Sequence, residues 1–251
     1  MHLSIEPNSR VRFKVIHEDE HLLVLDKPPG LVTQPGKGHD DDTLLNGLFA
    51  RWGQQLQNLG KARDFGLLHR LDRSTSGLIL VALKAPAYDI LRAAFESRLV
   101  AKFYLAITRE PPSKPIGVIN RPIDEYITSR QRERKKLARI SSAGQPAATA
   151  YRILDTNRDA CLIECKPITG RLHQVRVHLA SIHCPLLGDP EYAPPALVPL
   201  APRLALHAHR LTFDHPATRE RITVESPIPG DLKALLKKLK LDPKAELWKQ
   251  S

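Results

Sequence analysis

Asp72 stands between two arginines in His69-Arg70-Leu71-Asp72-Arg73-Ser74-Thr75-Ser76-Gly77. A carboxylate held between Arg70 and Arg73 stays ionised, which suits a nucleophile or a base. Ser74, Thr75, Ser76 and nearby backbone donors can organise its loop, although an ordinary turn stabilised by an Arg–Asp interaction explains the same residues. A second polar island, Lys102-Phe103-Tyr104, enters a strand-like segment. Tyr104 offers a flat face for a base and a phenol for proton transfer; it can equally be a packing residue with a satisfied hydroxyl. The third island is Thr169-Gly170-Arg171-Leu172-His173-Gln174-Val175-Arg176-Val177-His178. Arg171 and Arg176 present planar donor arrays suited to carboxylates or phosphates. His173 and His178 come without a CxxC pair, an HExxH sequence or other metal-ligand spacing, so structural or ligand-contacting histidines outrank a metal site. GxGxxG, GxxxxGK[ST] and GxSxG are absent too, which removes the usual grounds for a dinucleotide site, a P-loop or a serine hydrolase.

The elements that must position these islands follow from hydrophobic spacing. Val15-Ile16 and Leu22 to Leu25 read as strands around a polar turn, the second stopped by Asp26-Lys27-Pro28-Pro29-Gly30. Thr43 caps a helix covering Leu44 to Phe49. Gly77 to Leu83 is short and apolar enough for a buried strand, and Pro86 opens a helical pattern carrying Tyr88, Leu91, Phe95 and Leu99. Lys102 to Ile107, Ala148 to Leu154, Ala160 to Lys166, Leu204 to Phe213 and Arg221 to Val224 read as further strands. Gly170 precedes a helix whose Leu172, Val175, Leu179 and Ile182 share an inward face, with His173 and Arg176 on an adjacent one. Leu232 to Leu241 is a lysine-rich helix whose leucines dock on a core.

The 251 residues carry 38 Lys and Arg against 27 Asp and Glu, a formal charge of +11, which points to a polyanionic partner, nucleic acid first. Six cations, Arg130, Arg132, Arg134, Lys135, Lys136 and Arg139, crowd one segment that reads either as a solvated loop or as a hairpin tip on an RNA backbone. Three cysteines cannot pair completely within one chain and fit a reducing cytosol. Neither a secretory leader nor a run of about 18 apolar residues is present, which disfavours secretion and membrane spanning.

Taken in order, the three islands resemble the RluA-type pseudouridine synthases. Asp26-Lys27-Pro28-Pro29-Gly30, Gly188-Asp189-Pro190-Glu191-Tyr192, Leu206-His207-Ala208 and Leu211, Phe213, His215 and Pro216 extend the match over about residues 15 to 225. The resemblance implies isomerisation of uridine to pseudouridine in structured ribosomal or transfer RNA, with no cofactor and no metal. It implies an α+β fold, with a mixed, largely antiparallel central sheet and flanking helices, in two lobes around an RNA cleft. Asp72 matches the catalytic aspartate, Tyr104 the active-site aromatic and Arg176 the arginine near the aspartate. Arg70 matches the residue that holds or displaces the flipped nucleotide. Arg171 and His173 are assigned to nucleotide positioning, and Leu172 and Val175 to pocket support.

The expected organisation is a short N-terminal extension over 1–14, a catalytic domain over 15–228 and a basic helix or tail over 229–251, acting as a cytoplasmic monomer. Some larger relatives carry a small RNA-binding module first; with about fourteen residues before Val15, accessory recognition is expected from the catalytic body, through the Arg130 to Arg139 segment and the basic tail. A noncatalytic RNA-binding or ribosome-assembly protein on the same scaffold is the alternative. A nuclease has weaker grounds, lacking a metal carboxylate cluster or a His–His phosphoryl-transfer pair.

Overall fold

The computed structural model describes residues 3–130 and 133–242, with the side chains of 129, 130, 133 and 134 excepted. In chain order the first elements are β1 (Lys14–Glu18), β2 (Leu22–Lys27), α1 (Leu44–Leu59), β3 (Ser76–Ala82), α2 (Ala85–Glu96) and β4 (Ala101–Thr108). Next come β5 (Ile116–Asn120), β6 (Ile123–Arg130), β7 (Glu133–Ile140), β8 (Ala148–Thr156) and β9 (Cys161–Pro167). The chain closes with α3 (Gln174–Ser181), β10 (Leu206–Asp214), β11 (Arg221–Glu225) and α4 (Gly230–Lys238). The class is α+β, with largely antiparallel sheet flanked by helices, as the sequence led us to expect.

The chain divides into two compact units, residues 1–101 with 208–227 and residues 102–207 with 228–251. In the first, strands run in the order β1, β2, β3, β10, β11. Leu22 to Leu25 and Leu78 to Val81 are wholly buried, so β2 and β3 read as unbroken apolar runs instead of alternating ones. Each such side chain contributes about 1.5–3 kcal/mol on burial. Thr43 caps α1 as expected, its hydroxyl accepting from the Asn46 N–H while Asn46 Oδ1 accepts from the Thr43 N–H. Helical turns continue ten residues past Phe49, across a kink at Trp52 (φ −125°, ψ 26°), because Trp52, Leu56 and Leu59 carry the buried stripe on. In α2, Tyr88 and Leu91 are buried, but Leu99 is not a helix residue: the helix ends at Glu96, Arg98 turns left-handed at φ 61°, and Leu99 is exposed.

The second unit orders its strands β4, β9, β8, β5, with β6 and β7 as a separate hairpin. Leu232, Leu235 and Leu236 of α4 dock on Leu105, Ile107 and Leu162, confirming core packing for that lysine-rich helix. Strand β5 lay unrecognised between prolines; its Ile116 and Val118 are exposed. The helix expected after Gly170 begins only at Gln174, after His173 at φ 51°. It has no single inward face: Gln174 through Leu179 are all buried, Leu172 and Ile182 lie outside it, and Arg176 is as enclosed as Val175. The cysteines are free and buried, and burial pushes the Cys161 and Cys184 thiols up to about 11.

Candidate active site

In the first unit Asp72 sits in the loop that feeds β3. Leu71 is buried there, Arg70 is exposed and Asp72 is half-buried. The loop is held through its carbonyls. Thr33 Oγ1 donates to Leu71 O at 2.9 Å, the Gly30 N–H donates to Arg73 O at 2.7 Å, and the Thr75 N–H donates to Asp72 O at 3.0 Å. Arg73 returns its Nε–H to Gly30 O at 3.1 Å. Lys27, wholly buried at the end of β2, donates Nζ–H to Pro28 O, Leu31 O and Arg73 O at 3.0, 2.8 and 3.3 Å. An ammonium taken out of water in this way must be repaid by such acceptors. His69 Nε2 accepts from the Leu80 N–H at 3.0 Å, which fixes the start of the loop against β3.

The sequence expectation that Ser74, Thr75 and Ser76 organise the loop needs correcting at Thr75. Its Oγ1 is buried without a hydrogen-bond partner among the described residues, and only its backbone N–H serves the loop. The main braces come instead from Lys27, Gly30 and Thr33, some forty residues upstream. Replacing Lys27 with Met keeps the stem and removes three charge-assisted bonds. We expect a stability loss of about 2–4 kcal/mol in urea melts, together with a lower kcat in the folded fraction. Wild-type stability and kcat in Lys27→Met would show that Lys27 does not brace the loop.

Gly77 closes the motif at φ 118°. A Cβ there would lie 2.2 Å from Ala208 O, so β3 and β10 approach at a distance that only glycine permits.

In the second unit Tyr104 lies on β4 opposite Cys165, 9% exposed. Arg176 is 6% exposed and bonds Asp189 with two parallel donors, Nε to Oδ2 at 2.9 Å and Nη2 to Oδ1 at 2.8 Å. Asp189 Oδ1 also accepts the N–H groups of Glu191 and Tyr192. The Arg176 guanidinium lies 4.9 Å from the Tyr192 ring centre. Tyr192 Oη accepts from the Ala138 N–H at 2.9 Å and shares a hydrogen bond of 2.7 Å with His173 Nδ1. Burial holds the phenol protonated, its pKa pushed up to about 12.

Arg171 is exposed and donates Nε–H to Pro146 O at 3.2 Å. Leu172 packs against Ile123, Ala138, Ala147 and Val177, whereas Val175 is buried in α3. His178 is a structural histidine: Nε2–H donates to Arg121 O at 2.9 Å and Nδ1 accepts from Thr149 Oγ1 at 2.8 Å. Among the described residues no group of three His, Cys, Asp or Glu side chains is placed to hold a metal. Thus Arg70 and Asp72 share a loop of the first unit, while Tyr104, Arg171, Leu172, His173, Val175 and Arg176 belong to the second. Lys27, Asp189 and Tyr192 stand within the sequence motifs, but nothing local in the sequence marks their roles.

The basic segment is a hairpin, β6 and β7, with Arg130 and Arg134 near its tip. Arg132 lies outside the described residues. The other cations are exposed but paired: Lys135 with Glu191 at 3.2 Å, Lys136 with Glu125 at 2.5 Å and Arg139 with Asp124 at 3.0 Å.

The RNA pseudouridylate synthase family matches residues 21–181. The ribosomal large subunit pseudouridine synthase D of Pseudomonas aeruginosa is 39% identical over 94% of this chain and 74% of its own. An uncharacterized RNA pseudouridine synthase of Bacillus subtilis is 35% identical over 90% of this chain and 72% of its own. Among solved structures, human RNA pseudouridylate synthase domain containing 4 superposes with a TM-score of 0.68 at 28% identity, covering 93% of this chain and 94% of that one. The chain belongs to the RNA pseudouridylate synthase family. It is an enzyme, an isomerase that acts on RNA.

Proposed function

We propose that this protein converts selected uridines of structured ribosomal RNA to pseudouridine, with Asp72 as the group that acts at the ribose. The observation that carries this reading is the Asp72 loop. Its backbone is tied down by Lys27, Gly30 and Thr33, while Asp72 stays half-buried and its neighbour Arg70 exposed. Such an arrangement fixes a charged group without burying it. The name of the Pseudomonas relative supports ribosomal RNA as the substrate class; transfer RNA is the other class that the sequence resemblance allows.

The reaction breaks the bond from the ribose anomeric carbon to nitrogen 1 of uracil and makes one to carbon 5. The Asp72 carboxylate either attacks the anomeric carbon as the uracil leaves or removes the ribose 2-prime proton to give a glycal. Both routes need it ionised. The freed uracil turns in place, carbon 5 bonds to the sugar, and the proton on carbon 5 is then taken by a base, a role we give to Tyr104. Arg70 fills or organises the space left by the extruded uridine. Arg176, held by Asp189 through Nε and Nη2, takes the active-site role that the family resemblance gives it. Arg171, His173 and the β6–β7 hairpin are assigned to positioning the RNA, with Leu172 and Val175 as apolar support.

The test is tritium release from carbon-5-labelled uridine in ribosomal RNA transcripts. Tyr104→Phe keeps the ring and removes the phenol, so we expect RNA affinity to hold while single-turnover release falls by roughly 10²-fold or more. A normal rate would remove the phenol from the proton-transfer step.

A further inference from the structure

The sequence draws attention to the β6–β7 cations, yet the described ones are neutralised by carboxylates. A different cluster, in the first unit, is not. After a turn at Ser9-Arg10, burial alternates along residues 11–14: Val11 and Phe13 are half-buried, while Arg12 and Lys14, like Arg10 in the turn, are exposed. The half-buried pair lies on α1 at Gly47, where an added Cβ would come within 2.9 Å of both side chains. One helical turn later Arg51 reaches back over the same spot, its guanidinium 4.4 Å from the Trp52 ring centre and 5.9 Å from that of Phe13. The indole is itself fixed, because Trp52 Nε1–H donates to Glu18 at 2.9 Å.

These groups enclose a surface depression of about 290 Å³ whose wall includes Ser9, Arg12, Phe13, Gly47 and Arg51 and no acidic residue. Lys14 stands opposite Asp26 in the β1–β2 ladder, but Arg10, Arg12 and Arg51 form no ion pair with any described residue. A guanidinium whose face is held by aromatic rings has lost much of the rotamer freedom that binding would otherwise cost, and it presents its N–H edge outward. This fork and the exposed Arg12 guanidinium, over a concave, hydroxyl-bearing floor, match a phosphodiester anion.

We propose that Arg12 and Arg51, with Arg10 beside them, form an RNA backbone-binding patch distinct from the Asp72 loop, which gives the enzyme a second grip on its substrate. This rests on the reading of the protein as a ribosomal RNA isomerase, but its test is independent of turnover.

The experiment measures binding of a labelled, structured large-subunit ribosomal RNA transcript by wild type and by Arg12→Gln/Arg51→Gln, over a potassium chloride series. Loss of two phosphate contacts lowers the logarithmic salt slope by about 1.4–1.8 and raises Kd roughly tenfold near 0.1 M salt. Both side chains are exposed, so folding is expected to hold, with circular dichroism as the check. Single-turnover tritium release at saturating RNA should stay at the wild-type rate. A patch that serves an acidic protein surface instead would leave RNA affinity and slope unchanged, and that result overturns the proposal. Should the wild type itself release no tritium, the isomerase reading fails while the salt slope still decides the patch.

Discussion

Asp72→Asn is expected to leave the protein folded and bound to RNA while lowering isomerisation by roughly 10³-fold or more, about 4 kcal/mol of barrier. The bonds that shape the loop run to the carbonyls of Leu71, Asp72 and Arg73, which the substitution leaves in place. Asparagine has nearly the same volume and is uncharged. It can neither attack an anomeric carbon as an anion nor take the 2-prime proton, so both chemical routes stop. The check is single-turnover tritium release, with circular dichroism and RNA affinity measured on the same preparation. Loss of activity together with loss of fold would indicate a structural aspartate, and wild-type turnover in a folded variant would take the chemistry away from this residue.

Gly77→Ala carries the largest structural effect. The position combines φ 118° with an added Cβ only 2.2 Å from Ala208 O and 2.7 Å from Ala208 N. Backbone strain at such a φ costs about 1–3 kcal/mol, and forcing β3 and β10 apart adds about 1–3 kcal/mol. Urea denaturation should show a loss of about 2–6 kcal/mol, enough to unfold a marginal protein. Gly36→Ala is the control: a Cβ there meets nothing within 4 Å, so the change should stay within about 0.5 kcal/mol. Equal stability of the two variants would mean that the strands can separate at little cost. Because Gly77 follows the Asp72 loop directly, its packing explains why the motif ends in glycine.

Local signals carried the elements well where they were strong. Thr43 before an apolar stripe gave α1, and the unbroken run through Leu78 to Val81 gave β3. They failed where tertiary context decides. Nothing in the spacing of Leu172, Val175, Leu179 and Ile182 announces a helix enclosed on nearly every side, because its buried polar residues are satisfied from afar: Arg176 by Asp189, Gln174 by Ala148 and Thr149, His178 by Arg121. The site divides in the same way. Asp72, Tyr104 and Arg176 stood out by residue type and by family resemblance. The supports at Lys27, Thr33 and Tyr192 did not, since a hydrogen bond between residues forty apart leaves no local pattern. Charge misled most: six clustered cations drew attention to the β6–β7 hairpin, while the unpaired arginines of the first unit come from segments forty residues apart in sequence.

The most direct test of the central claim is pseudouridine mapping of ribosomal RNA from cells that lack this protein, complemented with wild type or with Asp72→Asn at equal abundance. We predict specific sites in ribosomal RNA that become pseudouridine with the wild-type protein and stay uridine both without it and with Asp72→Asn. Identical ribosomal RNA maps in all three would contradict the proposal that this protein isomerises ribosomal uridines through Asp72.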